Sequence, residues 1–466
     1  MTQQNCLTDQ HGGQGDVGAA LPRAASLPPL GQAGSKNTNG QRHTHVCSAL
    51  SWSSPVKLTH RVRQLRTFEA LQHREFRLLW SAQAATSLVT WMDQVARGWL
   101  IYELTNSPVQ LGLVRGIQAI PILLFAPVAG SLADRYARQT QIVVAHILDG
   151  LLHTLVAVFI LTGQVQPWHL YTTAFGSAVV QTLLQPARAA MLADTVPSTL
   201  LTNAIGLNSI GFNLARSTGP ALAGILIATY GTAGSYVVQA LCTLLALLWT
   251  MRMRPSSALR TSTGHQTPLL QSVLAGWTYS WQNEAVRIGL LIAMVAALCI
   301  APFNTLLPVF ARDLLSIGAS GQGVLLTAMG VGALCSAFLI ASLGHQLPRG
   351  ILMLGGVLLY GLSVVAFALS SSFPLSLGLM TLVGLAHVSS HALVQTVIQT
   401  YTQAAFRGRT MAIFHMNQVV FTLGSLLVGA LAALVGARWA VTMMGAIGAM
   451  LMIGLAIVQP RARSLR

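Results

Sequence analysis

The sequence GSLADRYARQ occupies residues 130–139 and joins two strongly apolar stretches of the chain. It holds Asp134, Arg135 and Arg138 in a protein in which only 8% of the residues are charged. A soluble domain carries about 25% charged residues. Because 53% of the 466 residues are hydrophobic, the composition indicates a membrane protein, and residues 130–139 read as a polar turn between two membrane-spanning helices.

Apolar runs long enough to cross a bilayer recur along the chain. A spanning helix needs about 20 such residues. Twelve runs are expected, near 76–102, 109–132, 141–161, 168–191, 201–228, 235–251, 286–310, 323–343, 351–369, 375–400, 410–435 and 439–458. The predicted fold class is therefore an all-α polytopic membrane protein with twelve transmembrane helices.

The arginines predict the orientation of these helices. They collect before the first run, after the last, and in the even-numbered connections, as with Arg252 in the sixth. The odd-numbered connections, such as TNSP at 105–108, are nearly uncharged. The positive-inside rule then places both termini in the cytoplasm. Topology also accounts for the net charge of +16, so we expect no nucleic-acid partner.

Five regions are expected along the chain. They are a disordered cytoplasmic tail at 1–66, an N-terminal six-helix half at 67–251, a cytoplasmic linker at 252–284, a C-terminal six-helix half at 285–459 and a basic cytoplasmic C-terminus at 460–466. A weak repeat supports the two halves, because SLADR at 131–135 corresponds in position to SLGHQ at 342–346.

The sequence predicts neither a metal site nor a cofactor. His43, His45 and Cys47 lie together in the tail but lack the spacing of a metal finger. The chain contains no G-x-x-x-x-G-K-[ST] loop, so ATP is not expected to be the direct energy source.

The motif at 130–138 carries a family resemblance. Gly130-x-x-x-Asp134-Arg135-x-x-Arg138 resembles the G-x-x-x-D-R-x-x-R-R signature of the major facilitator superfamily, with Gln139 in place of the last arginine. The stretches at 76–88, 99–114, 203–224 and 407–414 resemble its branch of enterobactin exporters and macrolide efflux proteins. The resemblance covers residues 70 to 460. It implies a secondary transporter that exports a hydrophobic or amphipathic small molecule, such as a drug, a macrolide or a siderophore-like compound, by alternating access and proton antiport.

The resemblance also implies a latch between the two halves. In the outward-facing state Asp134 would engage the start of the eleventh helix near Thr410, with Arg188 or Arg409 as an ionic partner. Gly130 would let two helices approach closely. The alternative is that the charges in this loop only fix the topology.

Two carboxylates fall within the predicted spans, where an ionisable group usually serves a pathway. Asp149 lies near the middle of the third helix, and His146 and His153 share its helical face at i−3 and i+4. Such a cluster could take up and release a proton. A cluster of hydrogen-bonded polar side chains that fixes helix packing is equally compatible with the pattern.

The other carboxylate, Asp93, precedes Arg97 by four residues on the first helix, a spacing that suits an ion pair. Arg115 on the second helix could join the pair. A structural pairing and a role in the external gate both remain open.

The fifth helix carries Arg216 and then STGPALAG at 217–224. This run resembles the antiporter signature G-P-x-x-G-G but has Ala223 where the first paired glycine would be. Gly219, Pro220 and Gly224 are expected to bend the helix and to admit a close neighbour. Arg216 itself could neutralise Asp149 or bind an anionic substrate.

The C-terminal half has no acidic residue within its predicted spans and offers polar groups for binding instead. His387 and His391 form an i,i+4 pair, and we expect hydrogen bonding into a cavity, because no carboxylate or thiolate accompanies them as a metal ligand. The arginines favour an anionic substrate, whereas Asp93 and Asp149 favour a lipophilic cation, so the substrate charge stays open.

The expected protein is a monomer in the lipid bilayer that acts on a small-molecule substrate. No H-E-x-x-H pattern or comparable catalytic set is present, so an enzyme is not expected. A transport-inactive receptor or scaffold on the same fold, and an exporter that does not use protons, remain as alternatives.

Overall fold

The computed structural model describes residues 66–254, 269–343, 349–403 and 406–459. Almost all of the predicted tail, the first part of the predicted linker and the predicted C-terminus at 460–466 lie outside the described residues. So does the side chain of Asp134.

Long helices dominate the described chain. They are α1 Arg74–Thr105, α2 Pro108–Arg135, α3 Arg138–Leu161, α4 Pro167–Asp194, α5 Leu201–Met251, α6 Leu269–Gln282, α7 Glu284–Leu314, α8 Gly318–Leu343, α9 Arg349–Leu369, α10 Phe373–Tyr401, α11 Arg407–Val435 and α12 Ala437–Val458. Every predicted span coincides with one of these helices or with part of one. By length and composition, nine of the described helices could cross a membrane. That set leaves out α1, α4 and the short helix α6, and it counts the two predicted spans of α5 as one.

Helix α5 contains two of the predicted spans. Its backbone departs from helical geometry at Gly231, where φ is +69°. Glycine tolerates this conformation because it has no Cβ. The helix therefore has two arms, 201–230 and 232–251, and the break between them lies at Gly231 and not at Pro220.

Helix α7 is irregular along much of its length. It is α-helical to Val295, π-helical over 296–300 and 3-10-helical over 301–306. A second π-helical turn covers 310–314. Pro302 and Pro308 lack the backbone N–H that a regular helix would use, and π-helical turns are frequent at functional sites.

The two halves meet closely at one end of the bundle, which we call the sealed end. A Cβ placed on Gly112 of α2 would lie 2.6 Å from the carbonyl oxygen of Ser425 on α11. A Cβ on Gly224 of α5 would lie 2.7 Å from the carbonyl oxygen of Ala319 on α8. Only glycine fits at such approaches, and small residues are the usual means of packing membrane helices this closely.

Polar contacts add to the sealed end. The Tyr102 hydroxyl of α1 donates a hydrogen bond to the Asp313 carboxylate of α7. The Arg312 guanidinium lies 5.4 Å from the centroid of the Tyr102 ring and donates to the Tyr102 carbonyl oxygen at 3.5 Å. The opposite end carries Arg135, Arg138, Arg252 and Arg407, and we call it the arginine-rich end.

The expected polar turn at 130–139 is shorter in the structure. Helix α2 continues to Arg135 and α3 starts at Arg138, so only Tyr136 and Ala137 connect them. Among the described residues, no atom lies within 4 Å of a Cβ placed on Gly130. The close helix approach expected at Gly130 is therefore not seen in this conformation and stays a prediction for the outward-facing state.

The start of α3 fastens the N-terminal half together. Arg138 forms an ion pair with Asp194 at the end of α4. The Gln139 amide donates to the carbonyl oxygens of Thr250 at 3.0 Å and Met253 at 2.9 Å, at the end of α5. The glutamine that replaces the last arginine of the motif thus holds the start of α3 against the end of α5.

The second part of the predicted linker is helical, which the sequence reasoning missed. Tyr279 of α6 stacks on Phe406 with ring centroids 4.3 Å apart, and its hydroxyl accepts a hydrogen bond from the Gln403 backbone at 2.9 Å. Trp277 and Trp281 stack on each other and are about half exposed. Helix α6 therefore packs against the C-terminal half and presents two tryptophans on its surface.

Replacing Gly224 with valine should loosen the sealed end. The added side chain would meet the α8 backbone, and overpacking of this kind costs about 1–3 kcal/mol. We expect the population open at the arginine-rich end to fall several-fold. The measurement is the labelling rate of a Gln418→Cys variant by a membrane-impermeant maleimide, with the native cysteines replaced by serine.

Gly206→Val is the matched control on the same helix, because no atom of the described residues lies within 4 Å of a Cβ at that position. The control should label at the parent rate. Equal labelling of the Gly224→Val and Gly206→Val proteins would contradict the assignment of Gly224 to the seal.

Candidate functional site

A cavity of about 420 Å³ lies between the two halves. Helices α1, α2 and α5 line it from the N-terminal half, and α7 to α11 line it from the C-terminal half. His391, His415 and Gln418 line it and keep more than a third of their surface exposed. These residues lie toward the arginine-rich ends of α10 and α11, so the cavity is accessible from that end.

The charge lining the cavity is positive. Its described lining includes Arg115 and Arg216 and no aspartate or glutamate. Arg115 donates one hydrogen bond, at 3.4 Å, to the Gln118 side chain on its own helix.

Arg216 connects the two halves at the cavity wall. Its Nη2 lies 3.2 Å from Nδ1 of His387 on α10, and its guanidinium lies 5.4 Å from the Trp91 ring centroid on α1. A guanidinium can only donate, so Nδ1 accepts and the His387 ring is neutral in this contact. The option that Arg216 neutralises Asp149 is not realised, since the described contacts of Arg216 lie in the cavity.

An aromatic and imidazole wall continues from Arg216 across the C-terminal half. The His387 ring lies 5.1 Å from Tyr360 and 6.2 Å from His391, centroid to centroid. His391 lies 5.2 Å from Phe414. His387 and His391 both line the cavity, and their aromatic partners were not predicted from the sequence.

Asp93 and Arg97 form the expected ion pair. Two hydrogen bonds of 2.9 Å run from the Arg97 guanidinium to the two carboxylate oxygens. Arg97 also donates to the Leu170 carbonyl at 3.1 Å and the Thr173 hydroxyl at 2.9 Å, both on α4. The Arg97 side chain is 3% exposed. Its hydrogen-bonding capacity is thus used within the N-terminal half, which favours the structural role of the pair.

Arg115 lies beside this pair without a hydrogen bond to it. Asp93, Arg97 and Arg115 line a small pocket of about 30 Å³ next to the main cavity. On the opposite wall of the pocket, Asn304 and Gln322 of the C-terminal half have side-chain oxygens without a hydrogen-bond partner among the described residues. A pocket of this size and polarity can hold water.

Asp149 lies inside the N-terminal half and does not line the cavity. His146, Asp149 and His153 are all at least 94% buried, so they share an inward face as expected. The described hydrogen bond of the carboxylate comes from the Gln181 amide of α4, at 3.2 Å. Oδ1 of Asp149 and Nδ1 of His153 have no partner among the described residues.

Two residues of the second α5 arm extend this cluster and were missed from the sequence. Tyr236 and Gln239 are fully buried, and Gln239 Oε1 lacks a described partner. The Tyr236 ring lies 6.3 Å from His153, and Tyr236 is close enough to Asp93 to interact with it electrostatically. The polar positions 235, 239 and 243 recur every four residues, a signal that could have revealed this face.

Asp149, His153, Tyr236 and Asp93 thus form a series of buried polar groups, which we call the polar chain. It runs from the middle of α3 toward the outer part of α1 near the sealed end. Buried polar atoms without a protein partner are usually satisfied by water.

The glycines of the 217–224 run pack as expected. A Cβ on Gly219 would lie 2.8 Å from Cβ of Trp91 on α1. The carbonyl oxygen of Pro220 lies 2.6 Å from the Cβ position of Gly323 on α8. Together with Gly224, these contacts hold the first arm of α5 against both halves and position Trp91 beside Arg216.

The residues of the predicted latch lie in separate halves. Arg188 donates to the Thr86 hydroxyl at 3.2 Å within the N-terminal half. Arg409 lies 5.4 Å from the Phe406 ring centroid within the C-terminal half. Thr410 is fully buried, and its hydroxyl has no described partner. The latch remains a prediction for the outward-facing state.

Sequence comparison identifies the protein class that this fold and cavity define. Residues 65–465 match the transmembrane secretion effector family, and the chain belongs to this family of major facilitator superfamily transporters. It is a multi-pass protein of the bacterial cytoplasmic membrane.

Relatives with assigned roles match most of the chain. The staphyloferrin A transporter of Staphylococcus aureus is 23% identical and aligns over 77% of this chain and 89% of its own. The multidrug efflux pump Tap of Mycolicibacterium fortuitum is 25% identical, over 80% and 92%. The enterobactin exporter of Escherichia coli O1:K1 / APEC is 27% identical, over 78% and 86%.

Solved structures share the fold. A bacterial homologue of the human lysosomal transporter Spinster superposes with a TM-score of 0.67 at 14% identity, over 86% of this chain and 98% of that one. A POT family transporter gives 0.66 at 12% identity, over 84% and 96%.

Removing one partner of the Asp93–Arg97 pair should strongly destabilise the protein. Arg97→Gln leaves a buried carboxylate without its counter-charge, a change that costs about 3–5 kcal/mol. The double variant Asp93→Asn, Arg97→Gln should recover part of this loss, because the carboxylate left unpaired by the single substitution is no longer charged. The unfolding temperature in detergent, measured for the single and the double variant, reports both changes in stability.

The exposed pair of Arg74 and Glu75, with side chains 55% and 29% exposed, provides the comparison. Arg74→Gln should change the unfolding temperature little. If Arg97→Gln were as mild as Arg74→Gln, the structural assignment of the buried pair would fail.

Proposed function

We propose that this protein is a secondary active exporter of a hydrophobic or amphipathic small molecule, works by alternating access, and is driven by proton antiport. It would act as a monomer with twelve membrane spans and both termini in the cytoplasm. The observation that carries the proposal is the cavity between two halves that are joined at the sealed end and separated toward the arginine-rich end. If the arginine-rich end is cytoplasmic, as the positive-inside rule predicts, this conformation is inward-facing.

The relatives support export as the direction of transport. The names of two of them describe an exporter and an efflux pump, and a third is named as the staphyloferrin A transporter. The substrate of this chain would enter the cavity from the cytoplasmic side and bind at mid-depth, between Arg216 and the aromatic and imidazole wall. Closure there and opening of the sealed end would release it outside.

The polar chain supports proton coupling. A carboxylate buried in a membrane helix is costly and usually belongs to a pathway. Asp149 has one carboxylate oxygen without a described partner, and His153 and Tyr236 continue the series toward Asp93. Water between these groups would give protons a route inside the N-terminal half, apart from the substrate cavity.

Arg188 offers a link between the proton and the change in conformation. It is close enough to Asp149 for the opposite charges to attract. We propose that proton uptake by Asp149 removes this attraction and frees Arg188 for the predicted latch with Asp134. The proton would then stabilise the outward-facing state, and its release to the cytoplasm would restore the inward-facing one.

Proton movement in liposomes tests this proposal. The purified protein is reconstituted with an internal pH-sensitive dye, and macrolides, lipophilic cations and catecholate siderophores are added in turn. We expect substrate-dependent proton movement in the parent protein and its loss in Asp149→Asn, because an amide cannot take up a proton at this site.

Two variants serve as controls. Asp194→Asn removes an acidic group at the arginine-rich end, where it pairs with Arg138, and should retain coupling. Tyr171→Phe removes a hydroxyl that bonds to Gln110 and should behave as the parent, whereas Tyr236→Phe should slow proton movement. Substrate flux without protons would favour proton-independent export, and no flux of any compound would favour a receptor or scaffold.

The topology has its own test. Alkaline phosphatase fused after Ser107 or Gly163 should be active, because both turns are predicted to lie outside. Green fluorescent protein fused after Arg466 should fluoresce, because the C-terminus is predicted to be cytoplasmic. The reverse pattern would overturn the predicted orientation and with it the inward-facing interpretation.

A further inference from the structure

We infer that the cavity binds organic anions, meaning compounds that carry a fixed negative group on an apolar or aromatic body. The inference rests on the proposed transport function and adds the substrate charge, which the sequence leaves open. Three observations support it: the charges that line the cavity, the location of the buried carboxylates, and the composition of the wall.

The protein neutralises the charges lining the cavity only in part: Asp93 lies close enough to Arg115 to attract it but is bonded to Arg97, and no described carboxylate pairs with Arg216. Arg115 and Arg216 are the charged residues of the described lining. The described partners of Arg216 are a neutral imidazole and an aromatic face, and that of Arg115 is an uncharged amide. A partly buried cation whose charge is not fully compensated is costly, and an anionic ligand reduces that cost.

The carboxylates that could attract a cation are used elsewhere. Asp93 receives two hydrogen bonds from Arg97 and reaches the small pocket but not the main cavity. Asp149 is 94% buried inside the N-terminal half. A lipophilic cation in the main cavity would therefore meet two arginines and no described carboxylate.

The wall suits the body of such a ligand. Trp91, Tyr360 and Phe414 offer aromatic surface next to Arg216 and the two histidines. A volume of about 420 Å³ is within the usual range for small-molecule sites. Arginine donates several hydrogen bonds in a fixed plane, which matches the oxygens of a carboxylate, sulfonate or phosphate.

Binding of three matched probes to the full-length protein in lipid nanodiscs tests the inference. The probes are naphthalenesulfonate, naphthalenesulfonamide and naphthyltrimethylammonium, which share a ring system and differ in charge. Tryptophan fluorescence reports binding, and no gradient is present. We expect the sulfonate to bind about tenfold more tightly than the neutral sulfonamide, because hydrogen bonds to charged groups are stronger. The ammonium should bind most weakly.

Substitutions separate charge from shape. Arg115→Gln and Arg216→Gln should each weaken sulfonate binding about tenfold and change sulfonamide binding little. Arg216→Lys keeps the positive charge and should keep most of the preference for the sulfonate over the sulfonamide. This result would show that the site is still folded. Arg438→Gln, outside the cavity lining, is the matched control and should bind as the parent.

The outcomes distinguish this inference from the proposed function. Equal binding of the three probes, or tightest binding of the ammonium, would overturn the inference while leaving export intact. Loss of sulfonamide binding in the Gln variants would overturn it too, because the arginines would then act through packing. Preferential sulfonate binding without flux in liposomes would support the anion site and count against the exporter.

Discussion

The cost of holding charge inside a membrane governs the arrangement of this protein. Asp93 meets that cost by pairing with Arg97, which is also bonded to α4. Asp149 lies within the N-terminal half, away from the cavity, and close enough to Arg188 for the charges to attract. Arg115 and Arg216 have no hydrogen bond to a described carboxylate and line the cavity between the halves. The two carboxylates within the predicted spans thus lie in the N-terminal half, and the two arginines that line the cavity lie where access changes.

Close backbone packing complements this separation of charge. Glycines at the sealed end bring α2 against α11 and α5 against α8, and Tyr102 adds a hydrogen bond to Asp313. Arg216 lies at the boundary between these contacts and the open cavity, where it touches Trp91 of one half and His387 of the other. A ligand that binds Arg216 therefore acts on a contact between the halves, and this is where substrate binding can influence access.

Much of the fold could be predicted from the sequence, because apolar runs and arginine spacing follow directly from the bilayer. The Asp93–Arg97 pair was also predictable, since its partners are four residues apart on one helix. Contacts between distant helices were not: nothing local reveals that Arg216 reaches His387, that Tyr236 lies beside His153, or that Asp149 is outside the cavity. Gly130 is a further example: the motif predicts a close helix contact at this glycine, but the described residues place no neighbour against it in this conformation.

Transport of an organic anion moves negative charge across the membrane, so a membrane potential should drive it. Proteoliposomes with equal pH on both sides are given a membrane potential with potassium and valinomycin, and uptake of naphthalenesulfonate is followed. We expect an inside-positive potential to drive accumulation of the sulfonate and Arg216→Gln to reduce it. Sulfonate uptake that does not respond to the potential, or accumulation of naphthyltrimethylammonium through the protein under an inside-negative potential, would rule out transport of an organic anion.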